Sequence, residues 1–325
     1  MYTVLRVLPT LALLVASVPF WLWRGGPAPV DAAPVAQVFT PTPVVQPPSV
    51  NLRTPTPSPT LAPATSPTAG PTPTAPQLPA VAPERFFAQT GFGIHNDRFW
   101  EFFNGYGGVN TFGYPISREF QFLGFNVQFF QRQIMQQWAD GSVHTMNLLD
   151  PELMPYTRIN GSVFPEANEA LKNRTPGVGS PNYATEVVAF VQQNAPEEWR
   201  ALPVRYWTTF RSTVPGSQGD PLFNLDIWGA PISEPAFDPS NQGFAYQRWQ
   251  RGIMHFDVTC TCTQGLLLSD WFRALITGQG LPPDLAGQAQ GSRFYLQYNN
   301  ARDNGLNQPG ELPGTNMRFA FERER

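Results

Sequence analysis

Charge is scarce in this chain. Only 14% of its 325 residues are Asp, Glu, Lys or Arg, and the formal net charge is -3. Without a basic surplus there is no electrostatic footprint for nucleic acid or an anionic membrane surface, so neither is expected as a partner. Histidine is scarcer still: His95, His144 and His255 stand singly, without the His-x-x-x-His spacing of a zinc hydrolase, and no metal or cofactor is expected. No Gly-x-Ser-x-Gly turn is present, and the glycines from Gly105 to Gly113 lack the lysine and strand context of a phosphate cradle. The only cysteines, Cys260 and Cys262, form a Cys-Thr-Cys run. With no cysteine near the apolar N-terminal run, lipid anchoring there is excluded. Three readings of the pair stay open: a local disulfide, a bridge to another chain, or two small apolar residues on one strand face. A metal would need two further ligands, and only His255 lies close by.

Aromatic residues, in contrast, make up 13% of the chain, with 25 Phe and nine Trp. Most must be core, since ring burial is the default. Arg6, an apolar run from Leu8 to Trp23, then Arg24-Gly25-Gly26 follow the order of an export signal. Pro9 and Pro19 and the shortness of the run favour a signal peptide over a transmembrane helix, while Trp21 and Trp23 would suit an uncleaved anchor. Residues 27–83 read as a disordered Pro/Thr-rich linker: Gly26 to Pro83 holds 17 prolines and two charged residues, Asp31 and Arg53. At about 3 Å per residue in polyproline geometry, its reach is on the order of 100 Å or more, which suits a protein of the cell envelope or the extracellular space.

Three blocks recur in the same order in the remainder. Arg98-Phe99-Trp100-Glu101-Phe102-Phe103 matches Arg205-Tyr206-Trp207-Thr208-Thr209-Phe210. Phe112-Gly113-Tyr114-Pro115-Ile116-Ser117 matches Trp228-Gly229-Ala230-Pro231-Ile232-Ser233. Gln128-Phe129-Phe130-Gln131-Arg132-Gln133-Ile134-Met135 matches Gln247-Arg248-Trp249-Gln250-Arg251-Gly252-Ile253-Met254. The offsets, 107, 116 and 119, are those of a duplication with loop insertions. The first block predicts a short helix, capped by Asn96 or Asp97, with its rings inward and Gly107-Gly108 as stop. The second is a Gly/Pro turn, and the third a hairpin turning near Arg132-Gln133 or Arg251-Gly252, where Gly252 suits a positive φ. Asn182–Asn194 and about Leu267–Ile276, stopped by Gly278, predict further helices. The expected class is α+β, a duplicated unit of short helix plus β-hairpin: first unit 84–150, helical connector 151–203, second unit 204–264, C-terminal helix and irregular tail 265–325.

These blocks resemble the LGFP repeat of bacterial cell-wall-associated proteins, whose pattern is Leu-Gly-x-Pro, then Phe-x-x-Gly-x-Ile and an aromatic; here Phe112 or Trp228 stands in the Leu place. Through Phe87-Ala88-Gln89-Thr90-Gly91, the Gly-Tyr-Pro-Ile-Ser block and Gln247–His255, residues 86–325 are also similar to a group of secreted proteins of Chloroflexota-type bacteria. The resemblance implies a wall or surface-polysaccharide binding role, often beside a separate hydrolase domain; with the export signal and the missing catalytic motifs, the expected function is a non-catalytic, exported module that binds such a glycan. The residues are compatible with it, because rings stack on sugar C–H faces while Gln and Arg pair with hydroxyls. Candidate ligand-binding residues are Tyr114, Gln131, Arg132, Trp138, Trp228, Trp249, Gln250 and Arg251. A protein-interaction or structural surface protein is the alternative, as is a glycan hydrolase with Glu119, Asp140 or Glu234 as candidate acids. Glu119 and Glu234 follow the repeated Pro-Ile-Ser block, which favours a turn role, and no catalytic residue is assigned. Asn160-Gly161-Ser162 and Asn173-Arg174-Thr175 match glycosylation acceptors.

Overall fold

The computed structural model describes residues 75–216, 220–298 and 307–324. The proposed export signal and most of the linker lie outside them. No helix among the described residues is long and apolar enough to cross a membrane. The described chain is a mixed α+β fold. A short hairpin, β1 (Phe86–Phe87) and β2 (Phe92–Gly93), leads into the first unit: α1 (Asp97–Gly105), α2 (Gly108–Phe112), and a sheet of β3 (Phe120–Phe122), β4 (Phe125–Phe129), β5 (Ile134–Gln137) and β6 (Val143–Thr145). The connector carries the hairpin β7 (Arg158–Ile159) and β8 (Ser162–Val163), then α3 (Glu169–Lys172) and α4 (Tyr183–Asn194). The second unit repeats the first: α5 (Tyr206–Ser212), α6 (Leu222–Trp228), then β9 (Ala236–Phe237), β10 (Phe244–Arg248), β11 (Ile253–Asp257) and β12 (Cys262–Gly265). Helices α7 (Leu268–Thr277) and α8 (Pro283–Ala289) follow, and Gly278 ends α7 at φ 73° as a left-handed cap.

Local chemistry accounts for the helices. The Asn96 side chain accepts from the Arg98 and Phe99 N–H groups, and Phe99, Phe102 and Phe103 bury one face of α1. The expected glycine stop starts a second helix as well: Gly107, at φ 100°, is the N-cap of α2. Each expected hairpin is two strands of a four-stranded antiparallel meander, in the order β3-β4-β5-β6 and β9-β10-β11-β12. The outer strands escaped the sequence reading because they are only two to four residues long, too short for alternation to register. Gly252 also differs from expectation, since it is absent from the positive-φ glycines. Its need is space: a Cβ there would lie 3.0 Å from Trp228 Cζ3.

The repeated blocks are explained by matching ties in both units. Gly113 and Gly229 end their helices at φ 76° and 65°, and a Cβ on either would come within 2.7 or 2.6 Å of the Cβ of Gln131 or Gln250. The covering Gln131 Oε1 accepts the Tyr114 N–H at 3.0 Å, and Gln250 Oε1 accepts the Ala230 N–H at 2.9 Å. Ser117 and Ser233 hydroxyls accept the N–H of Phe129 and Arg248, each at 2.8 Å. Gln128 Nε2 donates to Gly93 O and Ser117 O, as Gln247 Nε2 donates to Asn194 O and Ser233 O. Phe103 stacks on Phe130 at 5.5 Å, and Phe210 on Trp249 at 5.4 Å.

The two units pack together. One apolar cluster holds Phe129 and Ile134 of the first unit with Tyr246 and Ile253 of the second; the other holds Phe103 and Phe130 with Phe210 and Trp249. Two buried arginines then fasten the flanking segments. Arg248, 1% exposed, donates to Pro165 O and Tyr156 O of the connector, and burial draws its pKa down to about 10. Arg118 donates to Glu322 O, Arg323 O and Pro76 O. The last of these acceptors lies in the segment read as linker, whose Pro76 carbonyl helps to satisfy the buried Arg118.

Gly229→Ala forces a side chain into the left-handed region against Gln250 and is expected to lower stability by at least about 1–3 kcal/mol. Trp249→Ala, which empties a fully buried position, is expected to cost about 3–5 kcal/mol. Urea unfolding midpoints of the two variants against the parent measure both losses.

Candidate functional site

Two clefts lie where the units meet, and they are related by the duplication. Register pairs Gln136 with His144 and Met135 with Thr145 in the first unit, and His255 with Gln264 and Met254 with Gly265 in the second. His144-Thr145 on β6 therefore matches Gln264-Gly265 on β12. Each turn arginine donates to a carbonyl of its own unit, Arg132 to Val109 O and Arg251 to Leu225 O; Arg132 also reaches Gly265 O of β12, and Arg251 lines a cleft with His144 and Thr145 of β6. Gln133 Nε2 donates to Ile227 O across the same junction, and the Thr145 hydroxyl donates to Asp226 O.

The β6 cleft has a volume of about 610 Å³ and is walled by Gln136, Trp138, His144, Asn147, Asp150 and Arg251, with Glu152 and Arg293 beside them. Trp138 is 47% exposed, and its ring lies 4.6 Å from that of His144. His144 is held in turn by the Ser142 hydroxyl at 3.0 Å and lies 3.9 Å from Asp226. Asp226 also accepts from the Tyr106 hydroxyl at 3.3 Å, and burial together with that carboxylate pushes the Tyr106 phenol up to about 12. Burial lowers the pKa of Arg251, and Asp226 opposes that shift. Asp150 Oδ1 accepts the Glu152 N–H, while Glu152 pairs with Arg293 at 3.2 Å.

The β12 cleft, about 480 Å³, is walled by Tyr114, Gln131, Arg132, Trp228, Thr263 and Gln264, among others. Gly265 lets the Trp228 ring close against the strand, since a Cβ there would come within 2.7 Å of it. Trp228 Nε1 donates to Thr213 Oγ1 at 2.8 Å, which fixes the indole. Cys260 and Cys262 are joined as a disulfide at the β11–β12 turn, and Gln264 Nε2 donates to Cys262 Sγ at 3.4 Å.

Six of the eight sequence candidates thus line a cleft: Tyr114, Gln131, Arg132 and Trp228 the β12 cleft, Trp138 and Arg251 the β6 cleft. Trp249 and Gln250 line neither. Trp249 is 0% exposed and has no face to offer a ligand, and Gln250 is the cover of Gly229. The carboxylates considered for hydrolysis line neither cleft: Glu119 accepts from Asn96 and Asn126, Asp140 caps the β5–β6 turn by accepting from Ser142, and Glu234 is exposed. Hydrogen bonding from Ser142 holds the Asp140 pKa below the usual value. Sequence reading missed Asn147, Gln264 and Arg293, which stand outside the three quoted blocks, on or beside segments too short to show periodicity. Among the described residues no cluster of His, Cys, Asp and Glu has the makings of a metal site. No family model, curated protein or solved structure matches the chain.

His255, between the Phe244 and Tyr246 rings, is held below the ordinary imidazole pKa by burial first; Asp257 opposes the shift and Arg132 adds to it. The unfolded ring takes up a proton as pH falls through about 6.5, whereas the folded ring resists it. Stability from this group is therefore present above about 6.5 and is lost as pH falls through the folded value. Urea midpoints followed from pH 7 to 5 are expected to decline, and less steeply in His255→Gln; equal slopes would assign the decline to other groups.

Proposed function

We propose that this protein is a non-catalytic module, exported to the cell surface or beyond, that binds wall or surface glycan in the β6 cleft. The observation that carries the reading is Trp138. Phe223 and Phe125 are exposed to a similar degree but line neither cleft, whereas the Trp138 ring, 47% exposed, stands at the rim of a polar one. Its neighbours supply what a sugar needs. The C–H face of a pyranose stacks on an indole, and its hydroxyls find donors and acceptors in Gln136, Asn147, Asp150 and Arg251. The contact with His144, itself tied to Ser142, holds the ring in place before a ligand arrives, which reduces the ordering cost of binding. The proline-rich composition and the apolar run near the N-terminus support placement in the envelope.

The test is retention of the purified protein on insoluble cell-wall sacculi, with released reducing sugar assayed in the same tubes. Binding without sugar release is expected, and Trp138→Ala, a substitution at a half-exposed position that leaves the core intact, is expected to weaken retention on the order of 10-fold or more. Retention unchanged by the substitution removes the Trp138 cleft from consideration. Sugar release would replace binding by hydrolysis, with Asp150 and Glu152 as the acids in the cleft.

A further inference from the structure

The two clefts differ in charge. In the β6 cleft the cations are balanced: Arg293 pairs with Glu152, and Arg251 lies in the field of Asp226. The β12 cleft has one cation, Arg132, and none of its described lining residues is Asp or Glu. Arg132 Nε donates to Gly265 O and Nη1 to Val109 O, both at 3.3 Å, and no hydrogen bond among the described residues uses Nη2. Two uncharged carbonyls hold the guanidinium in place without neutralising it. Asp270, which shares the turn through its N–H bond to Gln131 O, pairs with Arg273 at 3.1 Å and interacts with the Gln131 side chain rather than with Arg132. A half-buried guanidinium without a carboxylate is costly to keep, and burial lowers its pKa accordingly. The remaining wall is hydroxyl and amide, from Thr209, Ser212, Thr263, Gln264 and Asn110, around the rings of Tyr114 and Trp228.

We propose that the β12 cleft binds an acidic saccharide, its carboxylate or phosphate taken by Arg132 and its hydroxyls by the surrounding Thr, Ser, Asn and Gln side chains. The inference rests on the glycan reading and deepens it: the duplicated unit carries two different subsites, a stacking one on Trp138 and an anion-selective one on Arg132. A polymer with charged and neutral units would engage both at once and gain avidity. The planar guanidinium suits bidentate pairing with either anion.

The full chain is titrated with an oligogalacturonate, its neutral methyl ester and a phosphorylated oligosaccharide, with inorganic phosphate as control. The acidic sugars are expected to bind at least about 10-fold more tightly than the ester, the worth of one charge-assisted pair. Whichever acid binds more tightly identifies the anion. Arg132→Gln is expected to abolish the difference. Because Arg132 also ties two carbonyls, Gln264→Glu is tested beside it: it places a carboxylate in the cleft, leaves those ties intact, and is expected to abolish the preference in a folded protein. Equal affinity for acid and ester, with sacculi still retained through Trp138, overturns this inference and leaves the glycan reading standing. Loss of sacculi and saccharide binding together overturns both. Inorganic phosphate binding as tightly as the sugars overturns the saccharide assignment.

Discussion

In each unit a glutamine side chain lies directly on a glycine that has no Cβ to keep it away. Gly113 and Gly229 leave their helices in the left-handed region, and Gln131 and Gln250 cover them while accepting the N–H of the residue that follows each, Tyr114 and Ala230. That single contact fixes where the helix pair ends and where the β-turn begins, and the rest follows from its geometry. The paired Ser and Gln ties set the depth of the strands below the turn. Once the turn is pinned, Phe130 or Trp249 has one place to go, under Phe103 or Phe210. A buried polar network of this kind specifies one arrangement because each unsatisfied member would cost about 1–3 kcal/mol.

Pinning the turns also explains why the clefts exist. Arg132 and Arg251 follow the covering glutamines directly, so the same contact that ends each helix aims an arginine at the other unit's fourth strand. The two copies then diverged at the receiving strand. Where β6 presents His144 and Thr145, backed by Trp138 and ringed with paired charges, β12 presents Gln264 and Gly265, with the Trp228 ring filling the space that the glycine leaves. The scaffold and the turn arginine are common to both; what distinguishes the clefts comes largely from residues outside the repeated blocks, Trp138, His144 and Asp150 in one and Thr263, Gln264 and Gly265 in the other.

Much of this was legible from the chain. The duplication, the Asn96-capped aromatic helix, the helix over Tyr183–Asn194, the stop at Gly278 and the position of both hairpin turns follow from local signals: ring spacing, capping side chains and glycine. Outer strands of two to four residues and the small helices α2 and α6 were not legible, since segments that short carry no periodicity. Roles assigned to repeated residues fared unevenly for a related reason. Repetition marks what both copies need in order to fold, so Trp249 and Gln250 proved to be scaffold, while Trp138, whose counterpart by register is Asp257, has an open face.

The sequence by itself determined the class of fold, the twofold use of one unit and the low charge of the chain, because composition and spacing act through local conformation and net electrostatics. Tertiary structure alone decided which rings stay in water, that Cys260 and Cys262 join within one turn, and that Arg251 lies in the field of a carboxylate while no Asp or Glu among the described residues lines the cleft of Arg132. Each of those outcomes depends on groups brought together from the other unit, or on the path of the chain through a turn, and neither distance nor burial between such groups is written in their spacing along the chain.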